Sequence, residues 1–330
     1  MKELYTIGNG FDIHHGLQTH YQVFSYYLQK HHFSIHERLV ENYGLPSLDP
    51  DLEEFENKPA HYYLWSDFEK RLADFDFQSV LNDNDDLTAN PASEEFRDGD
   101  WDTFEIVMEE VVNELTTELY DAFKKFINQV DFPENIYEKK ISLNQDAFYL
   151  NFNYTNSLEH YYNIPGDKIL HIHNRADSSN EVLVLGHGIE PNKFKRDEPQ
   201  PSINATEEEL FEWNMEQGRN WELSSDRALD MILTYFSKSH KQTDNVIQQN
   251  RPFFDMLDDT IKITVLGHSL GEVDQPYLRE ILEKNGFKAD WRVSYYEPKD
   301  AQKIFATLVK LGLPKEKIST FKTTDLLLNK

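Results

Sequence analysis

The chain of 330 residues contains no cysteine. Disulfides, thiolate catalysis and cysteine-ligated zinc are therefore excluded. No apolar run approaches the roughly 18 residues that a membrane span requires. Residues 1–10 carry no hydrophobic segment of the signal-peptide kind, so the expectation is a soluble, cytoplasmic protein without a membrane partner. Basic residues are also scarce: 33 Lys and Arg stand against 59 Asp and Glu, a formal net charge of −26. A protein that neutralises nucleic-acid phosphates needs a basic footprint, and long-range attraction to nucleic acid is excluded. The imbalance is local. Between residues 49 and 110, 20 acidic residues face 4 basic ones, so −16 of the −26 lies in this one segment. It contains none of the strand-end motifs described next, and it reads as an insertion surface that says little about any pocket.

The 22 Phe and 17 Tyr predict an aromatic core. Short β-branched or aromatic runs are widely spaced: 3–7, 148–152, 168–173, 182–185, 261–266 and 291–296. The first five end at or near Gly, Asn or His, as buried strands often do. Helical patterns fill the gaps. Phe104, Val107, Val111, Leu115, Leu119, Ala122, Phe126 and Val130 follow steps of three and four, which predicts one apolar stripe on a single helix. Residues 274–285 predict a helix ended by Gly286, and 300–311 a helix followed by Gly312 and Pro314. Strands alternating with helices predict an α/β fold with a mostly parallel sheet. The chain reads as one domain with a discontinuous sheet, a helical insertion over 13–140 and a second over 190–255.

Four strand ends carry chemistry. Gly8-Asn9-Gly10-Phe11-Asp12 follows the first strand. Glycines there let backbone amides approach a phosphate, although Ile13 breaks the full dinucleotide fingerprint. A plain strand-to-helix turn is the alternative, and Asp12 suits a ribose hydroxyl or a buried polar network. Asn151 to Asn156 ends the second strand; an amide cluster there can hold a ribose or position a water. Asn156 reads as a helix cap and Asn153 as functional. His171-Ile172-His173 ends the third strand. Period two puts both imidazoles on one face, with His173 at the crevice as the reactive one and His171 as its support. Gly267-His268-Ser269-Leu270-Gly271 matches a nucleophile elbow, but no histidine follows Ser269, so the esterase triad cannot be assembled in its order. A ribose- or adenine-binding loop is the better reading. Trp65-Ser66-Asp67-Phe68-Glu69 reads as a capping box, with Ser66 at the helix start and Glu69 at its third position. Asp12-Ile13-His14-His15-Gly16 is also similar to the opening of binuclear metallophosphoesterases, with His171, His173 and His187 as further ligands. The partner motifs of those enzymes are missing, and no metal is expected.

Taken in order, these motifs resemble the AbiH family of bacteriophage abortive-infection proteins. The likeness runs from Ile7–Asp12 and His14–Leu17 through Trp65–Glu69, Asn151–Thr155, His171–His173 and Leu185–Gly188 to Leu266–Ser269. Asn174 stands where a glycine is usual. The resemblance implies a role in phage defence. A more distant resemblance to sirtuin-like NAD-binding domains implies a Rossmann-like core and NAD as substrate or ligand. It implies Asn153 and His173 as catalytic residues; Asp12 joins them as a nearby carboxylate that would stabilise an oxocarbenium-like transition state. The resemblance places Gly8, Asn9, Gly10, Phe11, His14, Gly267, His268 and Ser269 against the nucleotide. Asn9, Asp12 and Thr155 depart from the sirtuin pattern, and without zinc cysteines the implied reaction is NAD hydrolysis rather than deacylation. The implied partners are a nucleotide and a phage or host protein trigger, with oligomerisation left open. A nucleotide-sensing module without catalysis and a metal-dependent phosphoesterase are the alternative functions.

Overall fold

The central strands are too apolar to face water, and they are covered on both sides. The computed structural model describes residues 2–48, 60–196, 201–202, 205–220 and 223–328. Pro50, Pro59 and Pro199, together with the start of the acidic segment at 49–59, lie outside the described residues. Six strands, β1 (Glu3–Ile7), β2 (Phe148–Asn151), β3 (Ile169–His171), β4 (Lys262–Leu266), β5 (Asp290–Tyr295) and β6 (Ile318–Lys322), form one sheet in the order β3-β2-β1-β4-β5-β6. Every pairing is parallel; Leu4 lies beside Phe148 on one side and Ile263 on the other. This is a doubly wound, Rossmann-like order, and it reverses direction between β1 and β4.

Between β1 and β2 the chain forms α1 (Asn9–His15), α2 (Tyr21–His31), α3 (Phe33–Tyr43), α4 (Phe68–Arg71), α5 (Phe77–Asn82), α6 (Asp100–Asn113) and α7 (Leu119–Asn128). α8 (Ser157–Tyr162) joins β2 to β3. Four helices follow before β4: α9 (Glu207–Asn220), α10 (Leu223–Lys238), α11 (Thr243–Gln249) and α12 (Arg251–Asp255). α13 (Gln275–Asn285) and α14 (Pro298–Lys310) flank β5. One face of the sheet packs Tyr149, Ile7 and Leu266 against Phe11 and the α8 residues Leu158 and Tyr161. The other packs Leu150, Val265 and Val293 against α13 and α14, with Val246 and Phe254 of α11 and α12 added. A third core belongs to the helices, where Ile232, Tyr235 and Phe236 of α10 meet residues of α2, α3, α6 and α7. The region read as a second insertion is thus divided: α10 completes the first helical layer, and α11 and α12 belong to the sheet.

The helix expected over 101–130 is continuous from Asp100 to Asn128 but contains a π-helical turn at Glu114–Glu118. Such a turn carries one extra residue. It widens the buried stripe to include Val112 and Thr116, whose hydroxyl donates to the Val112 carbonyl at 2.6 Å.

Several expectations are corrected. Val182–Leu185 is not a strand; the chain turns after His171, Val182 is exposed, and isolated bonds such as Val184 N–H to the His173 carbonyl replace a ladder. β6 is a half-exposed edge strand with two apolar residues, too weak a pattern to read in advance. Ser66 does not cap α4: its hydroxyl accepts from the Gln22 amide, and Asp67 holds the cap position without a side-chain bond. Asn156 holds the cap position of α8 as expected, but without a side-chain cap bond; its amide donates to Asp177. Asn174 takes φ 63°, the left-handed region, and its amide donates to the Val182 carbonyl at 2.7 Å. Asparagine enters this region more readily than other L residues, so it serves where glycine is usual.

Candidate functional site

The turn after β1 meets the turn after β4 with no side chains between them. Gly8 N–H donates to the Leu266 carbonyl at 2.9 Å, and Gly10 N–H to the Gly267 carbonyl at 2.8 Å. A Cβ on Gly8 would stand 2.6 Å from the His268 Cα; one on Gly267, at φ +65°, would stand 2.1 Å from the Phe11 nitrogen. The glycines serve loop-to-loop contact, and the amides of Gly8 and Gly10, expected to hold a phosphate, are already bonded inside the protein.

Beside this seam a cavity of about 300 Å³ opens between the carboxyl ends of the strands and the helical layer. Its floor carries Asp12, Asn153, His173 and His268. Asp12 is fully buried; Thr155 and Ser157 donate their hydroxyls to its two oxygens at 2.6 and 2.5 Å. Burial pushes its pKa up to about 6 against the opposing effect of those bonds. Asn153 stands beside this carboxylate. Its N–H donates to Asn151 Oδ1 at 3.0 Å; its side-chain amide is near enough to Asp12 to favour the carboxylate, yet neither of its buried atoms makes a bond of full hydrogen-bond geometry.

The two strand-end histidines part company. β3 ends at His171, whose Nε2 lies 3.0 Å from Glu159 of α8 and whose Nδ1 lies 3.4 Å from the Asn151 amide. The chain then turns, so His173 sits among Phe152, Tyr154 and Tyr277 on the α13 side. The shared face expected from period two is lost because the strand stops. His173 Nδ1 lies 3.2 Å from the Phe152 carbonyl, which can only accept. The proton is therefore on Nδ1, and Nε2 is a buried lone pair without a hydrogen-bond donor. Burial and the nearby Lys241 charge hold the pKa of His173 down to about 3. His268 has the opposite tautomer: its Nδ1 accepts from Leu270 N–H at 2.9 Å.

A charged group that sequence reasoning missed holds one wall. Lys241 is fully buried, with Nζ 2.6 Å from Glu69 Oε2 and 2.9 Å from Asp274 Oδ1. Tyr21 donates to Glu69 Oε1 at 2.6 Å. Asp274 in turn lies 3.5 Å from His173 Nε2 and 3.6 Å from His268 Nε2. Burial works against its charge, but the Lys241 ammonium keeps its carboxyl below the ordinary range. Glu69 is shifted upward, burial outweighing Lys241. Both of its oxygens nevertheless accept hydrogen bonds, an arrangement suited to the carboxylate. Glu69 belongs to the motif read as a capping box, and Asp274 follows the Gly267 loop. Lys241 had no signal, since nothing local marks a lysine for burial.

The other candidates divide between the cavity and the core. Phe11 packs on His15 and Tyr162 in the core. His14 bonds the Lys139 carbonyl at 2.8 Å, outside the cavity. Asn9 lines the cavity, but its amide is engaged with Thr19. Ser269 lines it and is exposed. His187 packs against Phe194 and Phe236 away from the cavity. Among the described residues, no three His, Asp or Glu side chains are grouped to hold a metal ion, and the metal set drawn from His14, His171, His173 and His187 does not converge. No helix among them is long and apolar enough to cross a membrane.

A doubly wound sheet with a cavity over its carboxyl edge is an architecture in which α/β proteins often place a ligand site. The chain belongs to the bacteriophage abortive infection AbiH family, whose sequence model matches residues 4–295. Its role thus lies in abortive infection. No curated protein and no solved structure matched the chain significantly, so the likeness to sirtuin-like domains rests on the motifs alone.

Proposed function

We propose that the cavity binds the nicotinamide-ribose half of NAD and hydrolyses the bond between nicotinamide and ribose. The observation that carries this reading is the set of three buried, unpartnered polar atoms in one cavity: Asn153 Oδ1 and Nδ2, and His173 Nε2. Buried polar atoms are normally satisfied, and a ribose with its attacking water supplies the hydroxyls these atoms lack. The volume of about 300 Å³ matches a nucleoside-sized ligand.

In the reaction the C–N bond breaks and its electron pair neutralises the departing pyridinium nitrogen. Positive charge then collects on the ribose, where the Asp12 carboxylate stabilises it. Water oriented by Asn153 forms the new C–O bond, and its proton goes to the His173 Nε2 lone pair. Asp274, 3.5 Å away, stabilises the imidazolium that results. The Gly8 and Gly10 amides, bonded within the protein, are not donors for the diphosphate, although the turn borders the cavity. Lys70, an exposed residue of the cavity lining paired with Glu272 at 2.9 Å, is a cation within reach of the diphosphate.

The test is release of nicotinamide from NAD by purified protein, with and without phage-infected cell extract. Wild type releases nicotinamide, and Asn153→Ala and His173→Gln lose at least about a hundredfold of the rate. Equal release by all three proteins, or none by wild type under either condition, sinks the reading. Unchanged nucleotide after binding, with defence retained by Asn153→Ala, would favour a sensing module.

A further inference from the structure

The acidic segment of the sequence does reach the pocket. Glu69, from within it, joins Asp12 and Asp274 on the cavity lining, so three mostly buried carboxylates stand against the single buried ammonium of Lys241. Asp12 and Glu69 each accept hydrogen bonds on both oxygens, which favours their ionised forms. Two of the histidines on the lining offset none of this: His173 and His268 are both held neutral, chiefly by burial. Tyr21, Phe123 and Tyr154 contribute aromatic surface to the same lining. An acidic wall alone defines no ligand, but here it surrounds Asn153, whose buried amide is unpartnered. The chemistry that satisfies all three features is a flat, positively charged heterocycle carrying hydroxyl donors. Carboxylates attract its charge, aromatic rings attract a cation through their faces, and the amide meets its polar edge.

We propose that this cavity selects its nucleotide by ring charge, taking an oxidised pyridinium nucleotide and discriminating against the neutral dihydropyridine form. The proposal rests on the cavity being the nucleotide site, and it is independent of whether hydrolysis follows. Asp274 is the residue that tips the balance. With Asn in its place, Lys241 keeps Glu69 as a partner, while one negative charge is lost beside the ring.

The experiment measures binding by isothermal titration calorimetry, using a non-cleavable carbocyclic analogue of NAD and its dihydro form. The two ligands share the diphosphate and adenosine, so their ratio isolates the ring. Wild type is expected to bind the oxidised analogue at least about tenfold more tightly. In Asp274→Asn the ratio falls below about threefold, mainly through weaker binding of the oxidised analogue. Thermal unfolding checks that the variant is folded, and Glu69→Gln is the second variant if it is not. Equal binding of the two analogues by wild type, or tighter binding of the reduced one, overturns the inference even if nicotinamide is released from NAD. A charge preference without nicotinamide release leaves the inference standing and removes hydrolysis. Failure of both analogues to bind overturns both.

Discussion

Two places at the carboxyl edge of the sheet look alike in sequence and differ in use. One is the seam between the turns after β1 and β4, where Gly8, Gly10 and Gly267 bring backbone against backbone. The other is the cavity beside it, where Asn153 and His173 leave polar atoms unsatisfied. In many doubly wound proteins the ligand sits at the reversal of strand order. Here the Gly8 and Gly10 amides are spent on the protein's own hydrogen bonds, while these glycines and Gly267 still border the open space under the helical layer. Glycine at a strand end therefore signals close approach without saying whether the approaching group is a phosphate or another loop.

The sharpest way to break this comparison is Gly267→Ala. The left-handed backbone and a Cβ at 2.1 Å from the Phe11 nitrogen leave no room. Loss of about 5 kcal/mol, at the extreme for a point change, is expected from urea denaturation. A loss under 1 kcal/mol would mean that the seam is loose and able to admit a ligand. Lys241→Met comes next. Two carboxylates would remain buried without their cation, at a cost of about 3 to 4 kcal/mol, read as a fall in Tm. If the variant is as stable as wild type, the charged wall is a surface feature and too hydrated to favour a charged ring.

Asp12→Asn tests the floor through pH. Asp12 has a folded pKa raised from 3.8 to about 6. The folded state therefore holds the proton more tightly, and this group favours folding most below pH 3.8. That contribution is lost as pH rises through about 6, by up to about 3 kcal/mol. The stability of wild type relative to Asp12→Asn should decline between pH 4 and pH 6 and level off above. A flat difference would show that Asp12 has an ordinary pKa. The smallest stability effect belongs to Asn153→Ala. No side-chain hydrogen bond is lost, so a change under about 1 kcal/mol is expected, together with abolished ligand binding. A larger destabilisation with binding retained would assign Asn153 to the framework.

Much of this was legible in the residues. Five of the six strands were marked by short apolar runs, because a strand buried on both faces must be apolar throughout. Gly286, at φ 60°, ends α13 as the sequence implied. The sixth strand was not legible, since an edge strand half in water carries half the signal. The residues 182–185 misled for the opposite reason: their apolar run serves packing in irregular chain, where Leu183 and Leu185 join the helical core.

The sequence by itself determined the class of the chain: cysteine-free, acidic, built on a parallel sheet, with amide and imidazole groups at strand ends. Those features depend on local composition and period, which a linear reading captures. Only the tertiary structure decided which strand-end groups are spent and which are free. It turned His171 toward Glu159 and His173 toward Asp274, used the Gly8 and Gly10 amides within the protein, and joined Glu69, Lys241 and Asp274 from segments about 170 and 30 residues apart. Hydrogen-bond satisfaction and charge pairing are properties of neighbours in space, and those neighbours are set by how the helical layer closes over the sheet.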